Sequence, residues 1–337
     1  MYADFGSTIW MGVHAQDAAE VPASLVPGGV VMFARNFDPD PVRGPGRCHA
    51  LIAELHARWG QEVPLAMAID QEGGPVSRLK TWVGETPSFR QIWTRSGATG
   101  AEAWGRLWGE GLSLLGFNID FAPLVDLHDG IPGTGLGDRR ASADPGEAAE
   151  AAEAFLLGLE SQGVKGCLKH FPGLGGTRVD SHRALPELAD TEAITRAVLP
   201  FQKLARPDRL VMVAHVRTPW TGDLPASLHR DHVAGNPWGV QAAWVTDDLE
   251  MGGVAAWPWP ERIRLALEAG HLGLLVCQSQ AALDGTVAAL QALPDDLVRG
   301  AVEAGRAYRK TLGPYRPSTF DQTAWNDWVA RVRQTAS

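Results

Sequence analysis

Residues 144–170 read DPGEAAEAAEAFLLGLESQGVKGCLKH. Asp144 stands before Pro145 with Glu147 following, which predicts a helix that opens with proline at its first position and an acid in its first turn. The helical pattern lasts to about residue 162. A short, continuous apolar run follows at 164–168, and then Lys169 and His170. A helix handing over to a strand that is apolar on both faces, with ionisable residues at its tip, is the repeating unit of a parallel sheet with crossover helices.

The same unit recurs in both directions along the chain. Apolar runs fall at 5–13, 29–33, 63–69, 117–121, 164–168, 210–213, 243–246 and 272–276, with further helical candidates at 47–59, 101–115, 191–204 and 260–268. In the 101–115 segment Trp104, Leu107, Trp108, Leu112 and Leu115 make the i, i+3, i+4 stripe of a helix with one buried face, so these tryptophans read as core. Eight strands alternating with helices predict a (β/α)8 TIM barrel formed as a single domain over residues 1–337. An open doubly wound sheet is the competitor, but no GxGxxG follows the first run to support it. Past a turn with Gly313, Pro314 and Pro317, a last helix carries Trp325, Trp328, Val329 and Val332 on one face and is expected to pack back on the barrel.

Composition narrows the function. Of 337 residues, 45% are hydrophobic and 20% charged, which excludes a disordered chain. Thirty basic residues against 39 acidic ones give a net charge of −9, with no local basic concentration, so neither nucleic acid nor an anionic membrane is an expected partner. Cys48, Cys167 and Cys277 are odd in number and far apart, which argues against a disulfide framework and a structural zinc site, and suits a reducing compartment. Residues 1–13 lack the pattern of a signal peptide, and no apolar run reaches the roughly 18 residues of a membrane span. The expectation is a cytoplasmic protein that uses no metal and no cofactor.

In such a barrel the residues just past each strand converge on one mouth. The third run ends in Asp70-Gln-Glu-Gly-Gly74, and the fourth leads to Asp120-Phe-Ala-Pro123 with Asp126 beyond. The fifth ends in Lys169-His-Phe-Pro-Gly173, the sixth in Ala214-His215 and the seventh in Asp247-Asp248. Five successive strands thus bring ionisable groups to one place. The segment from Phe171 to Pro186 has neither helical nor strand period, contains Gly173, Gly175 and Gly176, and carries Asp180 and His182. Long irregular loops in compact domains are often functional, and an Asp that orients an imidazole makes a general acid/base near neutral pH. A surface Asp-Ser-His turn is the alternative. A carboxylate at the tip of the strand 243–246 suits nucleophilic attack, and Asp247 is read in that role, with Asp248 as the cap of the following helix.

These residues resemble glycoside hydrolase family 3, in its single-domain NagZ-type β-N-acetylhexosaminidase branch. The resemblance covers most of the chain through Gly29–Phe37, Ile69–Gly74 with Arg78, Asn118–Pro123, Lys169–Gly173, Asp180–His182, Ala214–Val216 and Thr246–Met251. It implies a retaining exo-β-N-acetylglucosaminidase in which Asp247 forms the glycosyl-enzyme and His182, paired with Asp180, is the acid/base. It further implies that Asp70, Arg78, Arg139, Lys169, His170, His215 and Asp120 bind the sugar. For Asp120, Asp126 and His215, bracing of the barrel mouth is the competing role. The implied substrate is a small carbohydrate or muropeptide from peptidoglycan recycling.

Three positions depart from the family pattern. Leu174 replaces a histidine, Pro75 an arginine, and Arg140-Ala141 a Ser-Phe pair. The nucleophile and the dyad are unaffected, but the loop and entrance that select the leaving group are altered. A metal-dependent barrel hydrolase would use His170 and His215, yet the first strand is not followed by HxH. A glycoside phosphorylase and a degenerate sugar-binding barrel are the remaining alternatives.

Overall fold

The computed structural model describes residues 4–14, 16, 25–60, 62–128, 130, 135–316 and 318–335. Eight parallel strands form its centre: β1 (Ile9–Gly12), β2 (Gly29–Met32), β3 (Ala66–Ile69), β6 (Ile119–Asp120), β7 (Lys165–Phe171), β8 (Leu210–Val213), β9 (Ala243–Thr246) and β10 (Leu274–Val276). They are ordered β10-β1-β2-β3-β6-β7-β8-β9. The ring closes through the parallel bridge Val245–Gly273, where Thr246 N donates to Gly273 O at 3.1 Å. The fold is the (β/α)8 barrel expected. A small antiparallel hairpin, β4 (Gln71–Gly73) and β5 (Val76–Ser77), projects beyond β3, with Pro75 in its turn.

The outer helices are α1 (Gly44–Trp59), α2 (Lys80–Val83), α3 (Phe89–Leu115), α4 (Pro145–Glu160), α5 (Thr191–Leu204), α6 (Trp259–Ala269), α7 (Gln280–Ala292), α8 (Asp295–Lys310) and α9 (Gln322–Thr335). Asp144 caps α4 as its sequence demands, accepting from Gly146 N and Glu147 N. Helices α3 and α4 press together at a glycine: a Cβ on Gly105 would lie 2.0 Å from Phe155 O, so no larger residue fits that crossing.

Inside the barrel Trp10 stacks on Phe121 at 6.2 Å among Val31, Ala68, Cys167, Met212 and Val245. Between barrel and helices lies the main apolar layer, which includes Trp104 and Trp108. The last helix returns to this layer. Trp328 Nε1 donates to Leu107 O at 2.6 Å, and the indoles run in an unbroken series from Trp82 to Trp325 (5.8 Å), Trp328 (4.6 Å), Trp108 (5.8 Å) and Trp104 (4.9 Å). Pro317, read as part of the turn before this helix, lies outside the described residues.

Candidate active site

At the C-terminal ends of the strands is a cavity of about 560 Å³. Asp70 reaches it from the end of β3, Lys169 and His170 from β7, Arg139 from the loop after β6, Asp180 and His182 from the loop after β7, and Asp247 from the end of β9. Arg78 joins from the segment after β5. Of the ten residues singled out in the sequence, these eight line the cavity, while Asp120 and His215 do not.

Its floor is an ion-pair network. Lys169 Nζ lies 2.9 Å from Asp70 Oδ1 and 2.6 Å from Glu72 Oε1. Arg139 grips Glu72 with two bonds, Nε to Oε2 at 2.8 Å and Nη2 to Oε1 at 2.9 Å, and Arg78 Nη2 reaches Asp70 Oδ2 at 3.2 Å. Burial alone would raise the Asp70 carboxyl, but Lys169 and Arg78 outweigh it and hold that carboxyl below the usual range. Glu72 is treated the same way by Arg139 and Lys169. Burial would lower the Lys169 ammonium, yet its two carboxylates raise it. The five side chains therefore remain charged, with three cations facing two anions.

Glu72 was not singled out in the sequence, although it organises Lys169 and Arg139 together. The signal was there: Asp70 and Glu72 are two apart, and alternate residues of an extended chain share a side. Asp120 lies deeper. Its Oδ1 accepts from Gln71 N at 2.9 Å, its Oδ2 has no partner among the described residues, and burial pushes its carboxyl well up, which favours the neutral acid.

Asp126 fixes a second group of the cavity, His170. Its Oδ2 accepts from the His170 ring Nδ1 at 2.7 Å and from His170 N at 3.1 Å, while Oδ1 accepts from Leu174 N at 2.7 Å. Burial works against the Asp126 carboxylate, and His170 with these bonds holds it ionised. An ionised carboxylate only accepts, so the proton sits on Nδ1 of His170. Leu174 lines the cavity itself as an apolar wall. Buried Arg140 donates to Leu127 O and Gly137 O, tying down the loop that presents Arg139.

The dyad sits at the rim. Asp180 Oδ1 accepts from His182 Nδ1 at 2.8 Å and from His182 N at 2.9 Å, and the imidazole is 70% exposed. Burial raises the Asp180 carboxyl less than these His182 bonds lower it. With Nδ1 engaged, Nε2 is the nitrogen free to exchange a proton. Across the cavity Asp247 is anchored by its backbone to Val213 O, and its Oδ1 accepts from Asp248 N at 2.8 Å.

Asp248 does not cap a helix, contrary to expectation, because α6 begins only at Trp259. Instead its Oδ1 accepts from Glu250 N and Cys277 N and its Oδ2 from Gln278 Nε2, so it clips the end of β9 to the end of β10. Burial pushes its carboxyl up to about 6. His215 is fully buried with both ring nitrogens occupied, Nδ1 by Ser227 Oγ at 2.7 Å and Nε2 by Asp248 O at 3.0 Å. It braces the mouth. Among the described residues no group of three or more His, Cys, Asp or Glu side chains is arranged to hold a metal ion.

Residues 8–306 match the glycosyl hydrolase family 3 N-terminal domain. A β-hexosaminidase of Pseudomonas aeruginosa is 34% identical over 98% of this chain and 96% of its own length, and one of Thioalkalivibrio sulfidiphilus is 33% identical over 80% and 78%. Among solved structures, a family 3 β-N-acetylglucosaminidase from Paenibacillus superposes with a TM-score of 0.85 at 27% identity, covering 99% of this chain and 68% of that one. NagZ from Neisseria gonorrhoeae, in complex with N-trifluoroacetyl-D-glucosamine, superposes at 0.79 with 27% identity over 98% of both chains.

Proposed function

Because the chain belongs to glycosyl hydrolase family 3, as a glycoside hydrolase of the β-N-acetylhexosaminidase type, we propose that it releases terminal β-linked GlcNAc with retention of configuration. Asp247 attacks the anomeric carbon as His182 Nε2 donates a proton to the departing oxygen. Asp180 holds the imidazole by Nδ1 and stabilises the imidazolium. The neutral His182 then takes a proton from water, which attacks the anomeric carbon and frees Asp247. The observation that carries this reading is that an Asp-oriented histidine and a backbone-anchored aspartate, from loops after different strands, line one cavity.

Asp70, Arg78, Arg139, Lys169 and His170 are the proposed sugar ligands. Charged hydrogen bonds to hydroxyls are strong and can tighten as the ring approaches an oxocarbenium ion. The braced His215 and the deeper Asp120 support this subsite from behind. Barrel and last helix form one domain in this proposal. The aglycone is proposed to be a peptidoglycan fragment such as an anhydro-muropeptide, a choice that rests on the likeness to NagZ. A cytoplasmic setting is supported by three buried cysteines, all unpaired. No helix of the described residues is long and apolar enough to cross a membrane.

The test pairs nitrophenyl β-GlcNAc with nitrophenyl β-glucoside. Wild type is expected to cleave the first in preference and to yield the β-anomer first by NMR, and Asp247→Ala to cleave neither. Turnover surviving in Asp247→Ala, or an α-anomer formed first, would overturn the mechanism.

A further inference from the structure

The backbone that carries the dyad rests on the turn that follows the nucleophile. Gly253 N donates to Ser181 O at 2.9 Å and Gly252 N to His182 O at 3.2 Å. Beyond the dyad the same loop is tied to the segment after β8, where Arg217 N donates to Pro186 O and Leu188 N to Arg217 O, both at 2.9 Å.

Neither Gly252 nor Gly253 has the left-handed backbone that favours glycine, so alanine would suit the local conformation. Space is what excludes it. A Cβ on Gly252 would lie 2.5 Å from both the carbonyl carbon and oxygen of Arg183, and 2.8 Å from His182 O. One on Gly253 would lie 2.9 Å from His215 Cβ and 3.2 Å from Ser181 O. At Gly252 the obstacles are all backbone of the dyad loop, which cannot swing aside as a side-chain tip can, so that loop would have to retreat; at Gly253 the added group is wedged between His215, after β8, and Ser181 O of the dyad loop.

We infer that Gly252 and Gly253 are positioning residues: by letting the dyad loop lie backbone-to-backbone on the nucleophile's own turn, they set the separation between His182 and Asp247. A retaining glycosidase needs that separation short and fixed, about 5–5.5 Å where both groups are carboxylates. Here the two groups follow different strands, β7 and β9, and the glycine contact joins them into one unit. The inference rests on His182 as acid/base and Asp247 as nucleophile.

The experiment compares Gly252→Ala, Gly253→Ala and His182→Ala with wild type, using Gly300→Ala as control. Gly300 is on the exposed side of α8 with nothing within 4 Å of an added Cβ. Displacing the loop by roughly 1 Å is expected to lower kcat/KM for an alkyl β-GlcNAc glycoside, a poor leaving group, by about 10²-fold. For a dinitrophenyl glycoside, which leaves without protonation, kcat/KM should hardly change. Its kcat should fall after a burst of phenolate, because water attacks the glycosyl-enzyme without a base. Azide should restore turnover, since the anion displaces Asp247 from the anomeric carbon with no proton to remove.

If His182→Ala shows no leaving-group dependence, the acid/base reading fails and this inference with it. If His182→Ala shows the dependence while both glycine variants behave as wild type, or lose both substrates equally, the inference alone is overturned. Should the variants fail to fold, amide hydrogen exchange on the wild type decides. Segments 178–185 and 250–255 should lose protection at a common rate, and independent rates would overturn the inference.

Discussion

Glu72→Gln removes one negative charge from the floor of the cavity and little volume. In the native network that carboxylate accepts two bonds from Arg139 and pairs with Lys169, and the three side chains are exposed by 4%, 11% and 2% respectively. With it neutral, three cations face Asp70 alone, and the amide turns an N–H toward groups that can only donate. Removing one partner from a buried ion pair costs about 3–5 kcal/mol, because the remaining charge stays buried without compensation. The expected result is a loss of that size in urea unfolding at neutral pH, accompanied by a raised KM as Lys169 and Arg139 lose their anchor. The pH dependence is a second check. The folded-state pKa of Glu72 is depressed, so its contribution is full above the unfolded value of about 4.3 and is lost as pH falls through the lower folded one. The gap between wild type and variant should therefore be constant from neutrality to about pH 5 and shrink below about pH 4. A loss under about 1 kcal/mol, or one that disappears in high salt, would refute the picture of a dry, interlocked network.

Two further outcomes follow from the same geometry. Asp126→Asn keeps one acceptor oxygen where the carboxylate offers two, so either His170 or Leu174 N faces an amide N–H, which should cost about 1.5–3 kcal/mol of stability and lower kcat/KM by roughly tenfold or more, measured by urea unfolding and nitrophenyl GlcNAc turnover. Trp328→Ala opens the α3–α9 contact and should destabilise by about 3–5 kcal/mol, yet leave kcat and KM unchanged in the folded protein, since no residue of α9 lines the cavity.

Much of the barrel was legible because strand cores carry an unmixed apolar signal. The runs at 210–213 and 243–246 and the helix at 191–204 coincide with β8, β9 and α5. Discrepancies have local causes. The apolar pattern places the first run from residue 5, but Phe5–Thr8 is a 3-10 turn that enters β1. The helix expected from 101 begins at Phe89 under a Ser88–Gln91 capping box, and its first turns were hidden because Gly97, at φ 54°, and Gly100 interrupt the stripe. Strand β7 continues through Lys169 and His170, whose polar side chains imitate a strand end although both are buried. Helices α7 and α8 are absent from the helices that the sequence pattern predicts. In α7, Ala281, Ala288 and Ala292 are exposed, so apolar residues fall on the solvent side as well and blur the stripe. In the site, single residues at strand tips and the local pair Asp180–His182 were legible, whereas the pairings between different strands were not. That Glu72 serves both Arg139 and Lys169, and that Asp248 clips two strands, depends on which tips become neighbours when the barrel closes.

The series of indoles from Trp82 to Trp104 has an optical consequence. Five of the thirteen tryptophans lie within 4.6–5.8 Å of the next ring along the series, and α2, α3 and α9 all contribute. Chromophores this close share their excitations, so their near-ultraviolet circular dichroism belongs to the group and not to any one ring. Release of the final helix removes Trp325 and Trp328 from the middle and leaves Trp82 alone and Trp104–Trp108 as a pair. The molecule thus carries a built-in spectroscopic reporter on its last helix, readable without a label and separate from turnover at the cavity, which no residue of that helix lines.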